Sequence, residues 1–245
     1  MNITNKTVLI TGANRGIGLA LVNEALRRGA KRVYAGTRGA GQNADKRVTP
    51  LPLDVTNASQ IKQAAGEVDA LDVLINNAGV AIYDDLSNFE VIEQHLAVNF
   101  FGILKVTRAF LPLLKRSKGA IVNNLSLAAL APLPVIPAYS ISKAAALSMT
   151  QSLRALLAGQ GVTVHGAVLG PIDTDMNRGF NIPKASTESA AQGIFDGLEK
   201  SEEEIFPDPA SRQIAEGWRT GVAKALEHQF AAFVPQSAAG AAAAE

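Results

Sequence analysis

The sequence predicts an α/β fold, a doubly wound parallel sheet with helices on both faces, built as one domain. Three observations carry this reading. The chain has 245 residues, enough to bury one substantial core, and doubly wound sheets commonly use that length as one domain. Short β-branched or aliphatic runs alternate with helical patterns, the order of a parallel sheet whose crossovers cover both faces. A glycine-rich turn follows the first run directly and leads into the first helix, where such folds bind nucleotides.

In chain order, the strand runs are TVLI at 7, RVYAG at 32, TPLPL at 49, DVLIN at 72, AIVNN at 120 and VTVHGAVL at 162. Helical segments are expected at 17–28, 58–66, 89–116, 139–158 and 186–198. There is no internal repeat. Two regions depart from the alternation. Residues 176 to about 205 are polar, are expected to form a substrate lid, and include the acidic run EKSEEE, read as a solvated helix end. The tail SAAGAAAAE, within about 236–245, is of low complexity and is expected to fray or extend loosely as helix.

Composition excludes several function classes. Lys plus Arg number 23 against 22 Asp plus Glu, so a net charge of +1 gives no footprint for nucleic acid or an anionic membrane. The absence of cysteine excludes disulfides and thiol chemistry. His95, His165 and His228 lack metal-ligand spacing, so no metal is expected and each histidine reads as a core or helix-face residue. The N-terminus lacks a signal-peptide pattern, and the most apolar stretch noted, LAALAPLPVIPA, is broken by three prolines. The expectation is a cytoplasmic protein without a membrane span.

After the first strand comes TGANRGIG, with Gly12, Gly16 and Gly18 opening the helix IGLALVNEALRRG. Glycines there let the backbone turn sharply and approach a pyrophosphate, which the free N–H groups and dipole of a helix N-terminus favour. A second match, GAGQNA at 39–44, leads into polar residues and reads as a loop. Where an acid would hold a ribose 2′-hydroxyl, the second strand ends in Thr37 and Arg38, and Arg15 lies in the glycine turn. Guanidinium forks suit a 2′-phosphate, so the predicted cofactor is NADP(H).

Tyr139 and Lys143 are four apart at a helix start and share one face. Ser126 lies thirteen residues upstream at a strand end, so the three groups can converge at the carboxyl edge of the sheet. An ammonium ~4 Å from the phenol, at an effective dielectric of ~20, is worth ~4 kcal/mol, or ~3 pH units towards neutrality. Such a phenol is a usable general acid.

These motifs resemble those of the short-chain dehydrogenase/reductase family, single-domain type, over residues 7 to about 176. TGANRGIG is similar to the family's TGxxxGxG loop, NNAG at 76–79 to its fourth-strand signature, VNFFG to its asparagine motif, and YSISK to YxxxK. The resemblance implies a Rossmann fold and a catalytic set of Asn99, Ser126, Tyr139 and Lys143. Tyr139 is then the proton donor to a carbonyl oxygen, or the base in reverse. Lys143 lowers its pKa and binds the nicotinamide ribose, Ser126 orients the reacting oxygen, and Asn99 holds a water that links Lys143 to solvent. Implied cofactor contacts are Gly12, Asn14, Arg15, Gly16, Ile17, Gly18, Thr37, Arg38, Asp54, Val55, Asn77, Ala78, Gly79, Tyr139, Lys143, Gly170, Ile172 and Thr174. One departure is Leu169 at the usual proline position, with Pro171 two residues on.

Between Ser126 and Tyr139 the cleft wall carries no charge, and Phe180 and Ile182 can contribute from the lid. This favours uncharged, hydrophobic ketones or aldehydes. The expected enzyme is an NADPH-dependent carbonyl reductase or alcohol dehydrogenase. Its alternatives are a 3-oxoacyl-thioester reductase, which would want Arg178 and Lys184 as a basic mouth, and a non-catalytic NADP(H)-sensing regulator. Surplus small and apolar residues on helix 139–158, with helix 89–116, point to a homodimer or homotetramer, as the resemblance also implies.

Overall fold

The computed structural model describes residues 1–39 and 44–234. The loop read at 39–44 therefore lies outside the described residues except at its two ends, and the tail at 236–245 lies wholly outside. Strands β1 (Thr7–Thr11), β2 (Arg32–Thr37), β3 (Val48–Pro52), β4 (Val73–Asn76), β5 (Ala120–Asn124), β6 (Thr163–Ala167) and β7 (Glu204–Ile205) form one parallel sheet in the order β3-β2-β1-β4-β5-β6-β7. The order reverses between β1 and β4, which opens a crevice at their carboxyl ends.

The central strands are apolar throughout because both sheet faces are covered. Val8, Ile10, Val73, Ile75 and Val122 pack towards α1 (Gly16–Arg27) and the later helix Thr187–Glu199, whereas Leu9, Leu74 and Ile121 pack towards α2 (Ala58–Glu67) and the helix Ile103–Ser117. Burying each such side chain contributes roughly 1.5–3 kcal/mol. Polar groups fix the register of the helices. Asn76 donates to Thr107 Oγ1 (3.1 Å) and to Asn123 Oδ1 (2.8 Å), and Asn123 donates to Thr150 Oγ1 (2.9 Å).

The continuous helix expected at 89–116 is three pieces: α3 (Phe89–Leu96), a π turn at Ala97–Gly102 and α4 (Ile103–Ser117). A Cβ on Gly102 would lie 2.8 Å from Val55 Cγ2, so glycine permits the close approach of this turn to the end of β3. By length and apolarity alone, the joined run Phe89–Ser117 is long enough to cross a membrane, a test that a core helix of this length also passes. Here it lies along the sheet, burying Ile103, Val106, Phe110 and Leu114.

Helix α5 (Pro137–Ala158) and α6 (Thr187–Glu199) lie close to their expected positions. The acidic run is not a solvated helix end. Its last residue, Glu204, begins β7 and is 3% exposed. It is tolerated because Arg154 on α5 (2.7 Å) and Lys224 (2.8 Å) neutralise it, while Trp218 Nε1 donates to it (3.0 Å). Three short helices that the sequence did not announce follow: α7 (Pro209–Arg212), α8 (Ala215–Arg219) and α9 (Val222–Ala231).

Candidate active site

The turn after β1 is closed to side chains for two different reasons. Gly12 and Gly16 have φ of 66° and 53°, and a Cβ on Gly18 would sit 2.0 Å from the Gly12 carbonyl oxygen. The NNAG segment locks this turn from below. Thr11 Oγ1 accepts from the N–H groups of Asn77 and Ala78 (3.0 Å each), and Asn77 Nδ2 donates to Thr11 O (2.9 Å) and Gly12 O (3.2 Å). Helix α1 has no side-chain cap at Arg15, which leaves its first amides available to an anion.

A cavity of about 1260 Å³ runs from this turn across the crevice. It exceeds the ~300–1,000 Å³ typical of a single small-ligand pocket, so it has room for a dinucleotide and a substrate together. Every residue of the expected site lines it except Asn99. At one end lie Thr37, Arg38, Asp54 and Val55. Burial by itself raises the Asp54 carboxyl, but hydrogen bonds from Thr56 and the charge of Arg38 outweigh it and hold the group below its ordinary value. Arg15 is paired with Asp175 at 3.0 Å. Both partners are well exposed, so releasing Arg15 to another anion costs little. A cradle that excludes Cβ atoms, an uncapped helix start and a basic far end fit a 2′-phosphorylated dinucleotide.

At the other end, Ser126 caps a short 3-10 turn, accepting from Ala128 N at 3.1 Å. It borders the cavity together with Tyr139 and Lys143. Tyr139 borders the cavity, yet its hydroxyl is desolvated: burial pushes the phenol pKa up, and the Ser126 hydrogen bond opposes this. Lys143 is 5% exposed, and burial brings its ammonium down to about 8. Its Nζ donates to Asn124 O at 2.7 Å and lies 5.7 Å from the centroid of the Tyr139 ring. This corrects the expectation of a phenol drawn towards neutrality by an ammonium ~4 Å away. The ammonium is engaged by a backbone carbonyl, and desolvation dominates both groups.

Asn99 stands behind the cavity wall on the π turn, fully buried. Its amide donates to Val80 O (2.9 Å) and Ser142 Oγ (3.0 Å) and accepts from Val80 N (2.9 Å). It therefore ties the loop after β4 to the helix carrying Tyr139. Gly79 is the point of contact, since a Cβ there would lie 3.2 Å from Asn99 Oδ1 and 3.9 Å from Lys143 Nζ.

The loop after β6, with Leu169 at the usual proline position, is held by hydrogen bonds to neighbouring segments. Leu169 is buried, and its carbonyl accepts from Leu127 N (2.9 Å). Gly170 N donates to Asp208 Oδ2 (2.8 Å), and a Cβ on Gly170 would meet Asp208 Oδ1 at 2.5 Å. Ile172 and Thr174 continue along the cavity.

Sequence reasoning missed several residues here. His95 Nε2 accepts from Ile82 N (3.0 Å), which places its proton on Nδ1, donating to Val91 O (2.8 Å). The neutral ring thereby holds the cleft loop and meets Tyr139 edge-on at 6.3 Å. Asp84 accepts from Ala138 N (3.3 Å), capping α5 from another segment. Tyr83 stacks on Phe180 with ring centroids 5.7 Å apart. Asn124 also lines the cavity. Each depends on a contact distant in sequence, for which no local spacing is a signal.

Comparison with known proteins gives a consistent family assignment. The family description short chain dehydrogenase matches residues 6–184. A solved short chain dehydrogenase from Burkholderia cenocepacia J2315, in complex with NADP, is 38% identical, with a TM-score of 0.83 over 94% of this chain and 99% of that one. The NADPH-bound carbonyl reductase from chicken fatty liver is 27% identical, with a TM-score of 0.71 over 84% of this chain and 100% of that one. Estradiol 17-beta-dehydrogenase 2 of Rattus norvegicus is 34% identical over 233 residues, covering 88% of this chain and 57% of the relative, so the chain spans little more than half of that protein. Because the matched stretch takes in the glycine turn, the NNAG lock and the Tyr139–Lys143 pair in one register, this chain is a member of the short chain dehydrogenase family.

Proposed function

We propose that the protein is an NADP(H)-dependent carbonyl reductase, or alcohol dehydrogenase in reverse, acting on uncharged hydrophobic ketones or aldehydes. The observation that carries this reading is the convergence of Ser126, Tyr139 and Lys143 at the inner end of a cavity whose outer wall is apolar. Leu127, Pro132, Leu133, Ile136, Met176 and Phe180 line that wall. The bound dinucleotide supplies hydride to the carbonyl carbon, or receives it from the alcohol. Ser126 holds the reacting oxygen, and Tyr139, whose raised pKa keeps it protonated at neutral pH, delivers a proton to it. The phenolate left behind is stabilised by Ser126, while Lys143, held by the Asn124 carbonyl, borders the same end of the cavity. Asn99 and His95 act through other groups, fixing the loop that forms the opposite wall.

Binding of NADP(H) by relatives named above supports the cofactor assignment, together with Arg38 at the far end of the cavity. The thioester alternative is less favoured, because Arg178 is paired with Asp175 and neither Arg178 nor Lys184 lines the cavity. NADPH oxidation across aryl ketones, aliphatic ketones, aldehydes and acyl thioesters tests the reading. Turnover confined to acyl thioesters overturns it.

A homodimer or homotetramer is part of the same proposal. Phe101 (47% exposed), Ile141 and Leu156 (54% exposed) leave apolar surface on the π turn and α5 beyond what packs on the sheet.

A further inference from the structure

Among the described residues two buried side-chain oxygens have no hydrogen-bond partner, Asn76 Oδ1 and Asn124 Oδ1, and of these two residues Asn124 lines the cavity. Asn124, the last residue of β5, is 4% exposed and lines the cavity, and its Oδ1 has no hydrogen-bond partner. Its orientation is fixed by its neighbours. Asn77 Nδ2 is engaged by two carbonyl oxygens, Thr11 O and Gly12 O, which can only accept. Asn77 must therefore turn Oδ1 towards Asn124, and Asn124 must answer with Nδ2, which it does at 2.8 Å. By elimination, the free atom is a carbonyl oxygen. Leaving such a group buried and unpaired is costly, so a native structure retains it where a donor arrives from elsewhere.

We infer that Asn124 Oδ1 is a cofactor-binding acceptor for the nicotinamide-riboside half of the dinucleotide, taking a carboxamide N–H or a ribose hydroxyl. This rests on the NADP(H) reading. The half is set by place. Asn124 lies two residues before Ser126, and its own carbonyl takes the Lys143 ammonium, whereas Arg38 and Asp54 stand at the opposite end of the cavity, across β1 and β4. The bond would complete a line of oriented amides running from the cofactor through Asn124 and Asn77 to the glycine turn, each polarising the next.

The test is equilibrium titration of the full chain with NADP+ and with adenosine 2′,5′-bisphosphate, which lacks the nicotinamide-riboside half, for wild type, Asn124→Leu and Asn124→Ala. The alanine variant cannot overpack the site, so a folded protein is in hand if leucine does not fit. The inference expects NADP+ binding about tenfold weaker or more in the variants, with bisphosphate binding unchanged. Equal weakening of both ligands overturns it, since that is what a distorted glycine turn produces, and unchanged NADP+ affinity overturns it as well. A wild-type chain that binds neither ligand fails the cofactor reading itself. The 3-acetylpyridine analogue of NADP+, which has no carboxamide N–H, separates the two donors. Loss of the Asn124 dependence with this analogue assigns the carboxamide, and its persistence assigns a ribose hydroxyl.

Discussion

Lys143→Met should leave the fold as stable as wild type, or more so, while removing activity. The buried ammonium falls from the ordinary 10.5 of a lysine to about 8. At about 1.4 kcal/mol per pH unit, keeping it charged at neutral pH costs roughly 3 kcal/mol. Methionine fills similar space without the charge but leaves the Asn124 carbonyl without its donor, a loss of ~1–3 kcal/mol. At pH 7 the variant is therefore expected between equal stability and a gain of ~2 kcal/mol, the upper end being a rise of several degrees in Tm for a chain of this size. The pH dependence is the sharper readout. Above pH 8 the folded protein loses this proton while the unfolded chain keeps it to about 10.5, so this group makes wild type more stable as pH rises through that window. The variant lacks that gain, and its advantage should shrink by about 2.5 kcal/mol between pH 7 and pH 10. Paired urea unfolding at both pH values measures it. A stability difference that is the same at both pH values refutes the depressed lysine.

Other consequences are as direct. Arg38→Asp sets a carboxylate against a 2′-phosphate and should shift the ratio of kcat/KM for NADPH over NADH towards NADH by tenfold or more, at about 1.4 kcal/mol per factor of ten; a wild type that already prefers NADH removes the role given to Arg38. Arg154→Leu leaves Glu204, whose side chain is 1% exposed, with Lys224 and Trp218 as its remaining partners, and should cost ~1–3 kcal/mol in urea unfolding; no measurable loss means that Lys224 alone neutralises the site. Ser148→Arg on the exposed face of α5 should dissociate the assembly in sedimentation equilibrium, whereas a wild type that already sediments as a single 25.6 kDa species rejects the oligomer.

Much of this architecture is written locally. The strands Val8–Ile10, Val73–Ile75 and Ala120–Val122 are legible because a strand covered on both faces needs apolar residues without interruption. The glycine turn is legible because no other residue fits Gly12 or Gly18, and Tyr139 with Lys143 because one helix turn brings them together. What escaped depends on distant partners. Glu204 reads as solvated until Arg154, fifty positions away, and Lys224 are brought beside it. The π turn that aims Asn99 at Val80 has no signature beyond a glycine. The ~4 Å tyrosine–lysine pair assumed from spacing omitted the Asn124 carbonyl, which takes the ammonium.

In the proposed reaction Tyr139 transfers the proton while other residues hold the cofactor. NADPH oxidation with a hydrophobic ketone, measured in wild type and Tyr139→Phe beside fluorescence titration of NADPH, tests it most directly. Turnover should fall by at least ~10²-fold, as for removal of a general acid, with NADPH affinity nearly unchanged. Substantial turnover by Tyr139→Phe at full cofactor occupancy would contradict it and make another residue the acid.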